Sequence, residues 1–203
     1  MRALSRFFRV LPTIIFIIAL AVGEEKRTFV VLIVSVLIHE AAHFLVYILM
    51  GGHGVFRHVT GGFMMETGRG AIPYIYELAL AGAGPLANFT TAILFLAMRG
   101  GHIGIAVEVN LSLATANLLP IKTLDGGRIA YAVCTLVFPY KTGEKVADIL
   151  SVLCAFSLVF FSLYVWFRTG GGEYLVFFSF ICLARHFAND KCQNVSNKRK
   201  NEK

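Results

Sequence analysis

His39-Glu40-Ala41-Ala42-His43 places two imidazoles at i and i+4 with a carboxylate beside the first. On an α-helix this spacing puts both histidines on one face, about one turn apart, where both rings can reach one metal ion. Glu40 then projects to the side of the pair, where a base can take a proton from an attacking water. The chemistry such a trio supports is metal-assisted hydrolysis. Two histidines do not complete a catalytic zinc site, which has three protein ligands and one open position. Of the twelve acidic residues, only Glu40, Glu77, Glu108 and Asp125 fall within an apolar span or at a helix break. Asp125 stands out as the third ligand. It follows a break at Pro120 and precedes Gly126 and Gly127, so local backbone can bend its carboxylate toward a buried metal. Glu77 and Glu108 are expected near the ends of spans or paired with a neighbouring span. His53, His58 and His102 fall in loops and turns and are expected at the surface. His186, beside Arg185, suits a helix C-terminus.

The elements that carry these residues must lie in a bilayer. Apolar residues make up 57% of the 203-residue chain and charged residues 15%, against about 45–50% and about 25% in soluble domains. Mean hydropathy is +0.70. A globule of this size buries only about two-thirds of its surface and could not hide so much apolar area from water. A soluble enzyme, a disordered tail and a free nucleic-acid binder are thereby excluded. The net charge of +7 is read as membrane topology, because basic residues collect on the cytoplasmic side of spans. Cys134, Cys154, Cys182 and Cys192 form no CxxC pair and read as small apolar fillers or tail, not as a disulfide framework.

The expected fold is an all-α integral membrane protein with about six transmembrane helices. The first span covers Val10–Val22, the second Thr28–Met50, the third Pro73–Met98, the fourth Ile103–Leu119, the fifth Ile149–Phe167 and the sixth Tyr174–Phe187. Ile129–Phe138 is too short to cross alone and continues the helix broken at Pro120. Pro139–Asp148 is mostly polar and reads as a connection. Pro85 implies a kink in the third span, whose small residues permit close packing. The glycine-rich, apolar stretch Gly51–Ala71 reads as a membrane-associated loop or hairpin after the second span. Four segments follow: 1–27, tail and first span; 28–138, a core of spans two to four that holds the HExxH motif; 139–188, spans five and six; and 189–203, a basic tail. Arg2, Arg6, Arg9 and that tail place both termini in the cytoplasm.

Three motifs in order carry a family resemblance. They are HExxH at His39–His43, the run Ala83-Gly84-Pro85-Leu86-Ala87-Asn88, and NxxPxxxxDG from Asn117 to Gly126. Over about residues 28 to 130 the chain resembles the site-2 proteases, zinc intramembrane metalloproteases. Within that family it is most similar to the stage IV sporulation subgroup, which releases a membrane-tethered pro-sigma factor. The short span before HExxH, Gly61-Gly62, Glu77, and Asn-Leu-Leu-Pro ahead of Asp-Gly-Gly carry that similarity, as does the lack of a PDZ insertion. The subgroup usually carries a C-terminal nucleotide-sensing CBS domain, whereas here only the polar tail follows the sixth span.

The resemblance implies zinc bound by His39, His43 and Asp125, with Glu40 as general base and then acid. It also implies that Asn117 holds the substrate or steadies the oxyanion and that Asn88 shapes the same cleft. The Gly61–Gly62 loop would offer an edge strand to an extended substrate. The implied partners are a membrane-tethered protein substrate, inhibitory membrane proteins and the lipid bilayer, with no nucleic acid. Other readings stay open. The substrate could be an anti-sigma factor or remnant signal peptides. The same ligands could serve a zinc or cation transporter, or the chain could be a silent scaffold.

Overall fold

The computed structural model describes residues 26–50, 54–59, 62–67, 74–98 and 100–201. The expected first span, with Arg2, Arg6 and Arg9, lies outside the described residues, as does Gly61. Among the described residues six helices and one hairpin follow in order: α1 (Lys26–Leu49), β1 (Gly54–Val59), β2 (Gly62–Thr67), α2 (Tyr74–Met98), α3 (Ile105–Asn117), α4 (Asp125–Val137), α5 (Tyr140–Thr169) and α6 (Glu173–Asn201). Helix α2 is central and touches α1, α3 and α4; α5 packs on α4, and α6 packs on α5.

Among the described residues three helices, α1, α2 and α5, are long and apolar enough to cross a membrane. Their outward faces are apolar: Leu49, Met98, Phe160 and Phe167 are all more than two-thirds exposed in the protein alone. In a bilayer those faces meet lipid rather than water. The inward faces are made close-fitting by small residues. On α2, Ala81, Ala83, Gly84, Pro85 and Ala92 are buried, which lets neighbouring backbones approach. On α1 the inward stripe runs Ser35, His39, His43 and Tyr47, four residues apart, so one helix face is unusually polar for a membrane span.

Between β1 and β2 the glycine-rich stretch forms an antiparallel hairpin, with Gly54 opposite Thr67 and Val59 opposite Gly62. Helix α3 has only 13 residues, about 20 Å of length, less than the roughly 30 Å hydrocarbon core. The chain then leaves helical geometry until Asp125, where α4 begins.

Backbone groups of that break find partners inside the protein. Ile121 N–H donates to the Leu119 carbonyl and Leu124 N–H to the Ile121 carbonyl, at 2.7 and 2.8 Å. Lys122 N–H donates to Ser151 Oγ on α5 at 2.7 Å. Pro120 has no N–H to place. The Ile121 side chain is fully buried against Ala155 and Cys182, with Leu119, Leu124 and Leu158 around them.

Three expectations are corrected. The polar stretch before Ile149 is no connection, because α5 already begins at Tyr140, directly after its N-cap Pro139. Proline is well suited to a helix start, having no N–H to leave unpaired. Helix α6 does not stop near Phe187 but runs on through the basic segment to Asn201. His186 is therefore not at a helix end. It is buried, with Nδ1 3.1 Å from Ser151 Oγ. Between α5 and α6, Gly170 adopts the left-handed region at φ 68° and closes α5.

Candidate metal centre

Two helices deliver the three expected ligands to one point. His39 and His43 come from the inward stripe of α1, and Asp125 is the first residue of α4. His39 Nε2 lies 3.0 Å and His43 Nε2 3.1 Å from Asp125 Oδ2, and the two Nε2 atoms are 3.1 Å apart. A tetrahedral zinc ion with bonds of 2.0–2.1 Å separates its ligands by about 3.3 Å. The triangle therefore fits zinc after a widening of a few tenths of an ångström.

The outer hydrogen bonds show what these atoms are. His43 Nδ1 is 2.7 Å from the Leu80 carbonyl. A carbonyl only accepts, so Nδ1 carries the proton and Nε2 of the neutral ring offers a lone pair. His39 is held by a longer chain of the same logic. The Asn88 amide nitrogen donates to the Ser35 carbonyl at 3.2 Å and to Asn110 Oδ1 at 2.8 Å. The Ser35 carbonyl fixes which end of the amide is nitrogen, so Asn88 Oδ1 faces His39 Nδ1 at 2.6 Å and accepts its proton. Two imidazole lone pairs and a carboxylate oxygen thus converge with no donor between them. A cation satisfies that arrangement.

Asn88 is wholly buried and acts on His39 from behind rather than from an open cleft. Ser35 Oγ accepts from Asn110 Nδ2 at 2.9 Å, and the same nitrogen reaches the Ala106 carbonyl at 2.8 Å. Helices α1, α2 and α3 are thereby tied together through buried amide groups around one metal ligand. Gly84 lies where α2 comes closest: a Cβ there would collide with Nε2 of both histidines.

Gly126 and Gly127 have a different role from the one expected. Neither has a positive φ among the described residues, so neither bends the chain in a glycine-only way. A Cβ at Gly126 would strike the Leu118 and Leu119 carbonyls, and one at Gly127 would strike the Ile121 carbonyl. They let the start of α4 lie directly against the break, which fixes Asp125.

The remaining candidates lie around this centre. Glu40 is exposed on α1, next to His39 in sequence. Asn117 ends α3, and its amide donates to the Leu113 carbonyl of its own helix at 3.0 Å. Gly62 opens β2. Glu77 pairs with another element, as expected: its Oε1 accepts from Arg128 Nε at 2.8 Å. Glu108 and His102 are exposed. Sequence reasoning missed Ser35, Asn110, Arg128 and the Leu80 carbonyl. Two of them carried a signal. Ser35 is one turn before His39, and Arg128 is one turn after Asp125.

Comparison with known proteins agrees with this geometry. Peptidase family M50 matches residues 101–161, the segment that holds Asp125. Zinc metalloprotease MJ0392 of Methanocaldococcus jannaschii is 29% identical over 147 residues, covering 66% of this chain and 42% of that protein. The chain thus spans less than half the length of that curated relative. The solved site-2 protease from Methanocaldococcus jannaschii superposes with a TM-score of 0.62 at 25% identity, covering 89% of this chain and 86% of that one. Fold and candidate ligand set are thus similar to those of peptidase family M50 and of a solved protein of the site-2 protease type.

Proposed function

We propose that the chain is an intramembrane endopeptidase that hydrolyses a peptide bond of a membrane-tethered protein. The observation that carries this reading is the convergence of His39 Nε2, His43 Nε2 and Asp125 Oδ2 within 3.0–3.1 Å of one another. When bound, zinc supplies a Lewis acid that polarises the scissile carbonyl and acidifies water. Glu40, exposed beside His39, accepts the proton of the attacking water and returns it to the leaving amine. His39 and His43 keep their lone pairs inward because Asn88 and Leu80 hold their outer protons. Asn117 is assigned to substrate or oxyanion contact by its place in the motif.

The hairpin supports a role in substrate binding. A two-stranded sheet leaves an unpaired edge on each strand, and an extended substrate can add there. Gly61 and Gly62 are the residues assigned to that contact. In this reading α1, α2, the broken α3–α4 pair, α5, α6 and a first span within 1–27 cross the bilayer. Both termini are cytoplasmic, residues 28–138 form the protease core, residues 139–188 hold spans five and six, and 189–203 form a basic tail.

The substrate we propose first is a pro-sigma factor, by the sequence similarity to the sporulation subgroup. Inhibitory membrane partners come with that assignment. The test is co-expression of the chain, or its Glu40→Gln variant, with a tethered pro-sigma factor, read as shortened product on a gel. Product with the unaltered chain alone is the expected result. Product with both refutes the role of Glu40. No product with either sends the substrate assignment to an anti-sigma factor or to remnant signal peptides, each tested in the same format.

A further inference from the structure

Asp125 presents its two oxygens to different neighbours. Oδ2 faces both histidines, while Oδ1 lies 3.5 Å from Arg128 Nη1, one turn along α4. Arg128 is itself anchored, since its Nε donates to Glu77 Oε1 on α2 at 2.8 Å. The Asp125 side chain is 11% exposed and those of Arg128 and Glu77 about a quarter or less, so water competes weakly for the guanidinium. A planar guanidinium fixed at Nε by one carboxylate has its outer nitrogens aimed by geometry rather than by chance. Glu77 also lies one turn before Leu80, whose carbonyl holds His43. One ion pair thus links the helix that orients His43 to the helix that supplies Asp125.

A carboxylate beside a metal can bind through one oxygen or both. Binding through both would crowd the water position that a catalytic site keeps open and raise the ligand count from four to five. We propose that Arg128, anchored by Glu77, is a positioning residue that retains Asp125 Oδ1 and so holds Asp125 as a one-oxygen ligand. The proposal rests on the metal reading of His39, His43 and Asp125.

The test uses the full chain in detergent, loaded with cobalt(II) in place of zinc, and reads two quantities. One is metal bound per chain. The other is the visible cobalt spectrum, which is stronger for four ligands than for five. Arg128→Met and Glu77→Gln are compared with the unaltered chain, with Arg128→Lys as the conservative variant. The expected result is full metal loading in all four, a several-fold weaker cobalt band in Arg128→Met, a smaller loss in Glu77→Gln, and partial recovery in Arg128→Lys. An unchanged band in both Arg128→Met and Glu77→Gln overturns the proposal and leaves the ion pair as a tie between α2 and α4. Should Arg128→Met fail to fold, Glu77→Gln decides alone. Failure of the unaltered chain to bind cobalt overturns the metal reading itself and the proposal with it.

Discussion

Replacing Asn88 with alanine removes the acceptor for His39 Nδ1–H and both donors from the amide. Three buried hydrogen bonds vanish: to His39, to the Ser35 carbonyl and to Asn110 Oδ1. Only the first bears directly on metal. Without it, the proton of His39 is free to move to Nε2, and the ring is free to turn. Loss of such an outer partner weakens metal binding by about 10- to 100-fold, or about 1.4–2.7 kcal/mol. The other two losses fall on folding, at about 1–3 kcal/mol for a buried group left unpaired. Asn88→Asp separates the effects. It keeps an acceptor for His39 but directs oxygen at the Ser35 carbonyl and Asn110 Oδ1, so stability should fall more than zinc affinity. The assay is zinc competition against a chromophoric chelator in detergent, with thermal unfolding run alongside. A folded Asn88→Ala protein that binds zinc within twofold of the unaltered chain would refute the tautomer argument.

Further expectations follow from the same geometry. Gly84→Ala sets a methyl against both Nε2 atoms; helix content should be retained on circular dichroism while bound zinc drops at least tenfold. Gly127→Ala drives a methyl into the Ile121 carbonyl, where only backbone can yield. Overpacking of this kind costs about 1–3 kcal/mol, and the loss should appear as a lower unfolding temperature. Glu40→Gln should retain one zinc per chain while cleavage falls by about 10²–10⁴-fold, the usual worth of a general base. Chelation should lower thermal stability, and added zinc should restore it, because the ion joins α1 to α4.

The candidate metal ligands were legible because each carries its own local signature. The HExxH spacing reads on any helix, and an aspartate between a proline break and two glycines is conspicuous in an apolar chain. What holds the ligands was less legible. Asn88 was visible as a motif residue, but its contact with His39 depends on the packing of α2 against α1. Asn110 stands in an apolar helix with no spacing that links it to Ser35, 75 positions earlier. The purpose of Gly126 and Gly127 was misread for a related reason: a sequence shows that a side chain is missing, not which carbonyl fills the space. The start of α5 was missed because residues 140–148 are polar, while helical continuity there depends on Pro139 as N-cap and on close packing of Gly143 against Cys134.

The distance along the chain between the ligands also sets a schedule. Asp125 follows His43 by 82 residues and His39 by 86. At about 5–20 residues per second, a ribosome needs roughly 4–16 s to pass from the histidines to the aspartate. Throughout that interval α1, the hairpin, α2 and α3 exist with only two of the three candidate ligands made. The last ligand then waits on the break at Leu118–Leu124, anchored by the buried Ile121, to dock. The three-ligand centre is thus completed only after the helices that surround it have been made and have found their places.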